Sequence, residues 1–327
     1  MKKLLFTFLT ISTSLFSQSD SQKRIIEENL PSNKYYKKEF GLKENVKDLK
    51  IIVSILSDNK ELYEYKKNKL FYHDFHFDKK GKLITKGIIE NPPFMPIEYI
   101  SKDTLIYWEN NKLKSIYTYG SEKHNRRFDQ EGNEIEFKEI SNEDAMTYTK
   151  KYVYNNLKQI TKKIEYSPFE TKSLDKNIDN ETLYFYDKNK NVIKTVEKNP
   201  AEELFYTFPL KNRQYEQPLV TVYSYNVTKL KKVIASIGDW QIHSTNYNYD
   251  SNNALSSIEF ESAQITTKSF FKDDLITEII IATKNKEEKI KIQYEFDSKS
   301  NWIKMICNSS LLPQETLLIE RTISYYE

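Results

Sequence analysis

The sequence predicts an all-β protein in which antiparallel repeat hairpins form a large twisted, curled sheet or partial shell, with a β-propeller as the architectural alternative. Three observations predict it. An aromatic, any residue, an aromatic and then Asp recur as Phe75-His76-Phe77-Asp78, Tyr184-Phe185-Tyr186-Asp187, Tyr247-Asn248-Tyr249-Asp250 and Tyr294-Glu295-Phe296-Asp297, with a reduced copy at Phe128-Asp129. Paired Asn or Asp residues stand between these units. Helix signals are confined to residues 22–30 and 201–204. Self-similarity of this kind marks a repeat architecture, and two hairpins in roughly 47 residues would equally suit a four-stranded propeller blade.

Each repeat element has a physical reason. Residues i and i+2 share one side of a strand, so Tyr294 and Phe296 face one way and Gln293 and Glu295 the other. The Asp then opens a tight turn, because its carboxylate accepts a hydrogen bond from the backbone N–H two residues on. Three residues after Asp78 and Asp129 come Gly81 and Gly132, where a turn closed by a bulge needs positive φ. Lys190, Asn253 and Ser300 take that place in the other copies, and a different turn type is open there. An apolar residue follows five or six positions after the Asp, at Leu83, Ile135, Val192, Leu255 and Trp302, and starts the return strand.

A second kind of turn is interleaved. Trp108-Glu109-Asn110-Asn111-Lys112-Leu113, Tyr154-Asn155-Asn156-Leu157 and Phe271-Lys272-Asp273-Asp274-Leu275 read as two-residue hairpins, with Lys67-Asn68 and Asn226-Val227 as weaker members. Short and long turns then alternate without a break from residue 68 to residue 297. Asn91-Pro92-Pro93-Phe94-Met95-Pro96 and the stretch from Asn199-Pro200 to Gln217-Pro218 read as loop insertions, the second long enough to carry binding. Sheet edges are expected to be covered or charged, and the Lys-rich flanks suit that.

Composition narrows the compartment and the partners. A total of 50 Lys+Arg against 47 Asp+Glu gives a net charge of +3, and Lys2 and Lys3 belong to the leader. The mature chain is therefore nearly neutral and lacks the basic footprint that nucleic acid requires. With 24 Tyr and 18 Phe, a packed core is expected rather than disorder. The charged start, the apolar residues 4–16 and the polar exit Ser17-Gln18-Ser19-Asp20 read as a signal peptide over residues 1–18. Residues 19–39 form an N-terminal segment, and 40–327 the repeat domain. The apolar run is too short to span a bilayer, so no transmembrane segment is expected after cleavage. With no Cys in or near the leader, a lipid anchor there is excluded. The location is secreted, periplasmic or cell-surface. Cys307, the single cysteine, sits in the apolar stretch 302–307 and reads as a buried structural thiol.

These residues resemble the YD-repeat, or RHS-like repeat, family: secreted or surface bacterial chains built on Tyr-x-Tyr-Asp-x-x-Gly-Asn units. The best-matching unit runs Tyr294-Glu295-Phe296-Asp297-Ser298-Lys299-Ser300-Asn301-Trp302-Ile303-Lys304. With the terminal Glu320-Arg321-Thr322-Ile323-Ser324-Tyr325-Tyr326 it resembles the closing unit of small exported members, and Gly41-Leu42-Lys43-Glu44-Asn45-Val46-Lys47 resembles their opening strand. The resemblance covers residues 40–327. Large members form a β-shell around a toxin segment that follows the repeats; this chain is expected to be a member without one. A structural repeat implies a fold and a location but no catalytic residues.

The search for chemistry agrees. The six glycines, Gly41, Gly81, Gly87, Gly120, Gly132 and Gly238, cannot be spaced as GxGxxG, GxSxG or GxxxxGK. None of His73, His76, His124 and His243 precedes a Glu, so HExxH is absent. His73 and His76 lie on opposite strand faces and cannot chelate together; an Asp74/His76 general base is the one dyad the local sequence offers. The repeated Asp78, Asp187, Asp250 and Asp297 read as turn residues, and the tyrosines as a cross-strand ladder lining a core, with their hydroxyls at its rim. No catalytic, cofactor-binding or metal-binding residue is assigned, and no cofactor is expected. The expected function is a non-enzymatic exported protein that offers an extended β surface to an envelope, glycan or protein partner or serves a structural role. The alternative is a secreted hydrolase acting on polysaccharide through a carboxylate pair.

Overall fold

The computed structural model describes residues 40–57, 69–90, 99–109, 112–118, 121–129, 133–140, 147–166, 178–199, 217–311, 313 and 315–327. The expected signal peptide 1–18, the segment 19–39, both helix signals, the Lys67-Asn68 turn, the stretch 91–96 and most of 199–218 lie outside these residues.

Twenty strands of the described residues form one antiparallel sheet. They are β1 (Val46–Ser57), β2 (Lys69–Phe77), β3 (Leu83–Glu90), β4 (Tyr99–Glu109), β5 (Lys112–Thr118), β6 (Ser121–Phe128), β7 (Glu134–Ile140), β8 (Thr147–Tyr154), β9 (Ile160–Tyr166) and β10 (Ile178–Tyr186). The second half continues with β11 (Val192–Glu197), β12 (Leu219–Asn226), β13 (Lys229–Ile237), β14 (Trp240–Tyr249), β15 (Leu255–Ser262), β16 (Thr266–Lys272), β17 (Leu275–Ala282), β18 (Glu287–Phe296), β19 (Trp302–Ser309) and β20 (Glu315–Tyr325). Consecutive strands pair throughout, and β20 returns to β1 from Val46↔Tyr325 to Ser57↔Glu315. Each described strand thus has a neighbour on both sides. The propeller alternative is overturned, because blades are separate sheets. The expectation of covered or charged edges is corrected too: the first and last strands satisfy each other's backbone groups instead.

The period of two decides which face packs. In β18, Glu288, Ile290 and Ile292 are buried and Tyr294 half-buried, while Glu287, Lys289, Lys291, Gln293 and Glu295 are exposed. In a single curled layer, side chains converge on the concave face and splay apart on the convex one, so near-complete burial marks the inside. Leu49, Ile51, Phe77, Leu83, Ile290 and Met305 are almost wholly enclosed there, each worth about 1.5–3 kcal/mol of apolar burial. They belong to a large cluster spanning β1–β5 and β17–β20, with Leu42 before it. A smaller cluster, Phe137, Tyr152, Ile160, Tyr184 and Val192, lines β7–β11.

Every hairpin from an even to an odd strand turns at the same rim. At Asp187, the backbone N–H donates to Asn191 O at 2.9 Å and Lys190 N–H to Asp187 O at 3.1 Å. The carboxylate Oδ1 accepts from the N–H groups of Asn189 and Asn191, both at 2.8 Å. The turns at Asp78, Asp250 and Asp297 repeat this pattern. Gly81, Lys190, Asn253 and Ser300 all adopt positive φ, of 78°, 67°, 62° and 60°. The turn type therefore holds even where glycine is replaced. Asn155, grouped above with the short turns, folds as the long kind: its Oδ1 accepts from Leu157 and Gln159, and Lys158 has φ 61°. The alternation of short and long turns breaks there. Asp273 and Asp274, with φ 51° and 62°, form the two-residue turn expected of their pair.

A bulge follows each of these turns on the return strand, shown by register shifts such as Phe185↔Lys194 then Tyr186↔Val192, and Glu295↔Lys304 then Phe296↔Trp302. Such an extra residue bends a strand and increases its twist, which helps a sheet curl far enough for β20 to meet β1. Leu83, Val192, Leu255 and Trp302 pair inward with the aromatic before the Asp. In the 129 unit that place belongs to Glu134, and Ile135 is the bulge residue.

Candidate functional site

Most residues that the sequence singles out serve the scaffold. The hydroxyls of Tyr154, Tyr186, Tyr225 and Tyr249 donate to the carbonyls of Glu134, Ile160, Val192 and Leu230, at 2.8, 2.7, 2.8 and 2.9 Å. Each rung ties the aromatic preceding one turn to the bulge region of the previous hairpin. Trp108 Nε1 does the same to Leu83 O at 2.8 Å. Burial raises the pKa of Tyr154, Tyr186 and Tyr225, that of Tyr186 to about 12.

The histidines divide as their parity requires. His73 is largely buried against Phe75, with ring centroids 5.9 Å apart, and burial, with Lys86 nearby, pulls its pKa down to about 4. His76 lies on the other face, but its partner is Asp48, Nδ1 to Oδ1 at 2.7 Å, rather than Asp74. Asp74 instead faces Lys50 at 3.8 Å. Ser324 Oγ donates to the other Asp48 oxygen at 2.5 Å, so this group laces β2, β1 and β20 across the closing seam. His243 packs on Phe260, and His124 sits on β6. Cys307 is buried, and its thiol is pushed up to about 12 by that burial. Among the described residues, no three His, Cys, Asp or Glu side chains converge as a metal site, and no helix is long and apolar enough to cross a membrane.

A different group is drawn together on the concave face of β8–β11, near the rim opposite the tight turns. Register places Lys150 opposite Glu165, Glu165 opposite Asn180, and Thr182 between Lys163 and Glu197. Glu165 accepts from Lys150 at 2.6 Å and Lys163 at 3.0 Å. Asn180 Nδ2 donates to Glu197 Oε1 at 2.5 Å and reaches Glu165 Oε2 at 3.5 Å, so one amide bridges two carboxylates. Burial works to raise both acids. In Glu165 the two lysines outweigh it and the pKa falls. In Glu197 burial prevails over the Asn180 hydrogen bond, the charge of Glu165 adds to it, and the pKa rises. Thr182 is buried, and its Oγ1 has no hydrogen-bond partner among the described residues. Such an arrangement offers hydrogen-bond donors and acceptors of both charges side by side on one face.

The period of two held a signal for this group. Asn180 and Thr182 precede Tyr184 and Tyr186 at even offsets, and Lys163 and Glu165 share the parity of one strand face. Only the cross-strand register brings them together.

No family model matches the chain, and no curated protein does. Solved structures similar to it include a porin-like protein from Bacteroides uniformis, at 10% identity and TM-score 0.36, covering 85% of this chain and 96% of that one. A porin-like protein from Bacteroides vulgatus matches at 9% identity and TM-score 0.28, covering 87% and 99%. TcdB2-TccC3 without its hypervariable C-terminal region matches at 12% identity and TM-score 0.32; this chain covers 16% of that one, and 77% of its own length is matched.

Proposed function

We propose that the chain is an exported, non-enzymatic repeat protein of the YD-repeat kind that offers the concave face of its curled sheet to an envelope or extracellular partner. Residues 1–18 serve as its signal peptide, 19–39 as an N-terminal segment and 40–327 as the repeat domain, in a periplasmic, secreted or surface setting. One observation carries the reading: the repeated Asp and Tyr residues are engaged in turns and rungs, whereas the concave face of β8–β11 gathers a polar, ion-paired group that lies outside the repeated positions. The convex residues of β18 are charged or polar and exposed, which supports that strand facing water rather than lipid. Binding of the purified chain to envelope fractions and glycans tests the proposal. Failure to bind any fraction, together with a turnover assay that detects hydrolysis, would sink it.

The second reading, a polysaccharide hydrolase, is favoured by two carboxyl groups, Glu165 and Glu197, that share the Asn180 amide and whose pKa values are pushed in opposite directions, down and up, since glycoside cleavage uses a carboxyl pair with unlike environments. Reducing-sugar release that disappears in both Glu165→Gln and Glu197→Gln would establish it.

A further inference from the structure

We infer that Lys150, Lys163, Glu165, Asn180, Thr182 and Glu197 form a binding site for a neutral, hydroxyl-rich ligand, a segment of glycan chain. This rests on the scaffold reading above and names its ligand.

Charge excludes the simplest alternatives. Two lysines and two carboxylates lie on one wall within a shared hydrogen-bond network. An anionic ligand would meet Glu165 and Glu197, and a cationic one would meet Lys150 and Lys163. An apolar ligand would strip water from all four without replacing its hydrogen bonds, which is costly. What remains is a neutral ligand that both donates and accepts. A sugar ring does so through closely spaced hydroxyls, each able to bridge a carboxylate and an ammonium or amide group.

A second, independent feature points the same way. Thr182 is 7% exposed, and its Oγ1 has no partner among the described residues. Its backbone pairs with Lys163 on one side and Glu197 on the other. A buried hydroxyl between a donor and an acceptor, left unpaired by the described residues, is a place where an entering hydroxyl group or a water completes the group. An extended peptide is the less suitable occupant. Peptides of that kind are captured by main-chain pairing with a free edge strand, and every described strand here is already flanked on both sides.

The test is calorimetric titration of the mature chain with cellohexaose, chitohexaose and mannohexaose, alongside polygalacturonate and chitosan as charged counterparts. Neutral hexasaccharides should bind, and Thr182→Val and Glu197→Gln should each weaken binding about tenfold or more. Glu181→Gln, on the convex face where Glu181 pairs with Lys162 at 2.8 Å, should leave binding unchanged. Circular dichroism of every variant checks the fold, and Thr182→Val, nearly isosteric, keeps the test open if Glu197→Gln unfolds. Equal affinity in folded Thr182→Val and wild type overturns the inference, as does preference for a charged polymer or a peptide library. Capture of envelope fractions that persists after their glycans are removed would end the glycan assignment while leaving the scaffold reading intact; loss of all capture would end both.

Discussion

Two walls of the same sheet solve the packing problem differently. The wall β17–β20 with β1–β3 turns aliphatic side chains inward: Ile279, Ile281, Ile290, Ile292, Met305, Leu317, Ile319, Leu49 and Ile51 are buried. Its convex side carries exposed Lys and Glu on β18. The wall β8–β12 turns tyrosines and an ion-paired group inward, and its convex side exposes Val153, Phe185, Ile193 and Val222. Both use the same turns, bulges and rungs. The repeat therefore supplies turns, bulges and rungs, and the side chains between the turns are left to differ, aliphatic on one wall and aromatic and ion-paired on the other.

The largest expected effect tests cohesion. Leu49→Ala should cost about 2–5 kcal/mol, read from urea denaturation, because a wholly enclosed side chain leaves a cavity. A loss no greater than that of Tyr186→Phe would erase the distinction between the walls. Acid should act on the same wall next. Burial holds His73 at about 4 in the folded state, so between its ordinary value near 6.5 and pH 4 the unfolded chain carries a proton that the folded chain lacks. Stability then falls as pH falls through that window, by on the order of 3 kcal/mol. His73→Phe should flatten that limb of the pH–stability curve, and an unchanged limb would assign acid sensitivity to the carboxylates instead.

Smaller effects belong to the rim. Tyr186→Phe removes one hydrogen bond to Ile160 O, worth about 1 kcal/mol, and thermal melts should show a uniform penalty for Tyr225→Phe and Tyr249→Phe. Lys190→Gly should stabilise by about 0.5–1 kcal/mol, since Lys190 holds φ 67° where glycine is free of strain. A destabilised variant would mean that the Lys190 side chain contributes more than its backbone costs.

What was legible in the sequence is what local rules determine. Asp187 announces its turn because both hydrogen-bond partners of its Oδ1 lie within four residues, and Tyr184 and Tyr186 announce a face because side-chain parity is a property of one strand. Asn155 misleads because Asn-Asn suits a two-residue turn, while Gln159, four residues on, completes the longer one. Non-local pairing was invisible. The meeting of β1 with β20 joins residues at opposite ends of the chain, as when Ser324 Oγ donates to Asp48 Oδ2 at 2.5 Å. Glu165 and Glu197 likewise become a pair only through Asn180, on the strand between them.

The smallest predicted effect separates the two walls most sharply, because its sign is reversed. Thr182→Val in β10 removes a buried hydroxyl that has no partner among the described residues, at almost constant volume. An unsatisfied buried hydroxyl opposes folding, so the variant should melt higher, by about 2 °C on the scale expected for a chain of this size. A cohesive wall should never gain stability from losing a polar atom, whereas a wall shaped for a ligand should gain stability and lose affinity together. Scanning calorimetry and titration on the same preparation decide it. Higher melting with unchanged glycan affinity would reduce Thr182 to a packing flaw, and lower melting would show that its hydroxyl already holds the folded chain together.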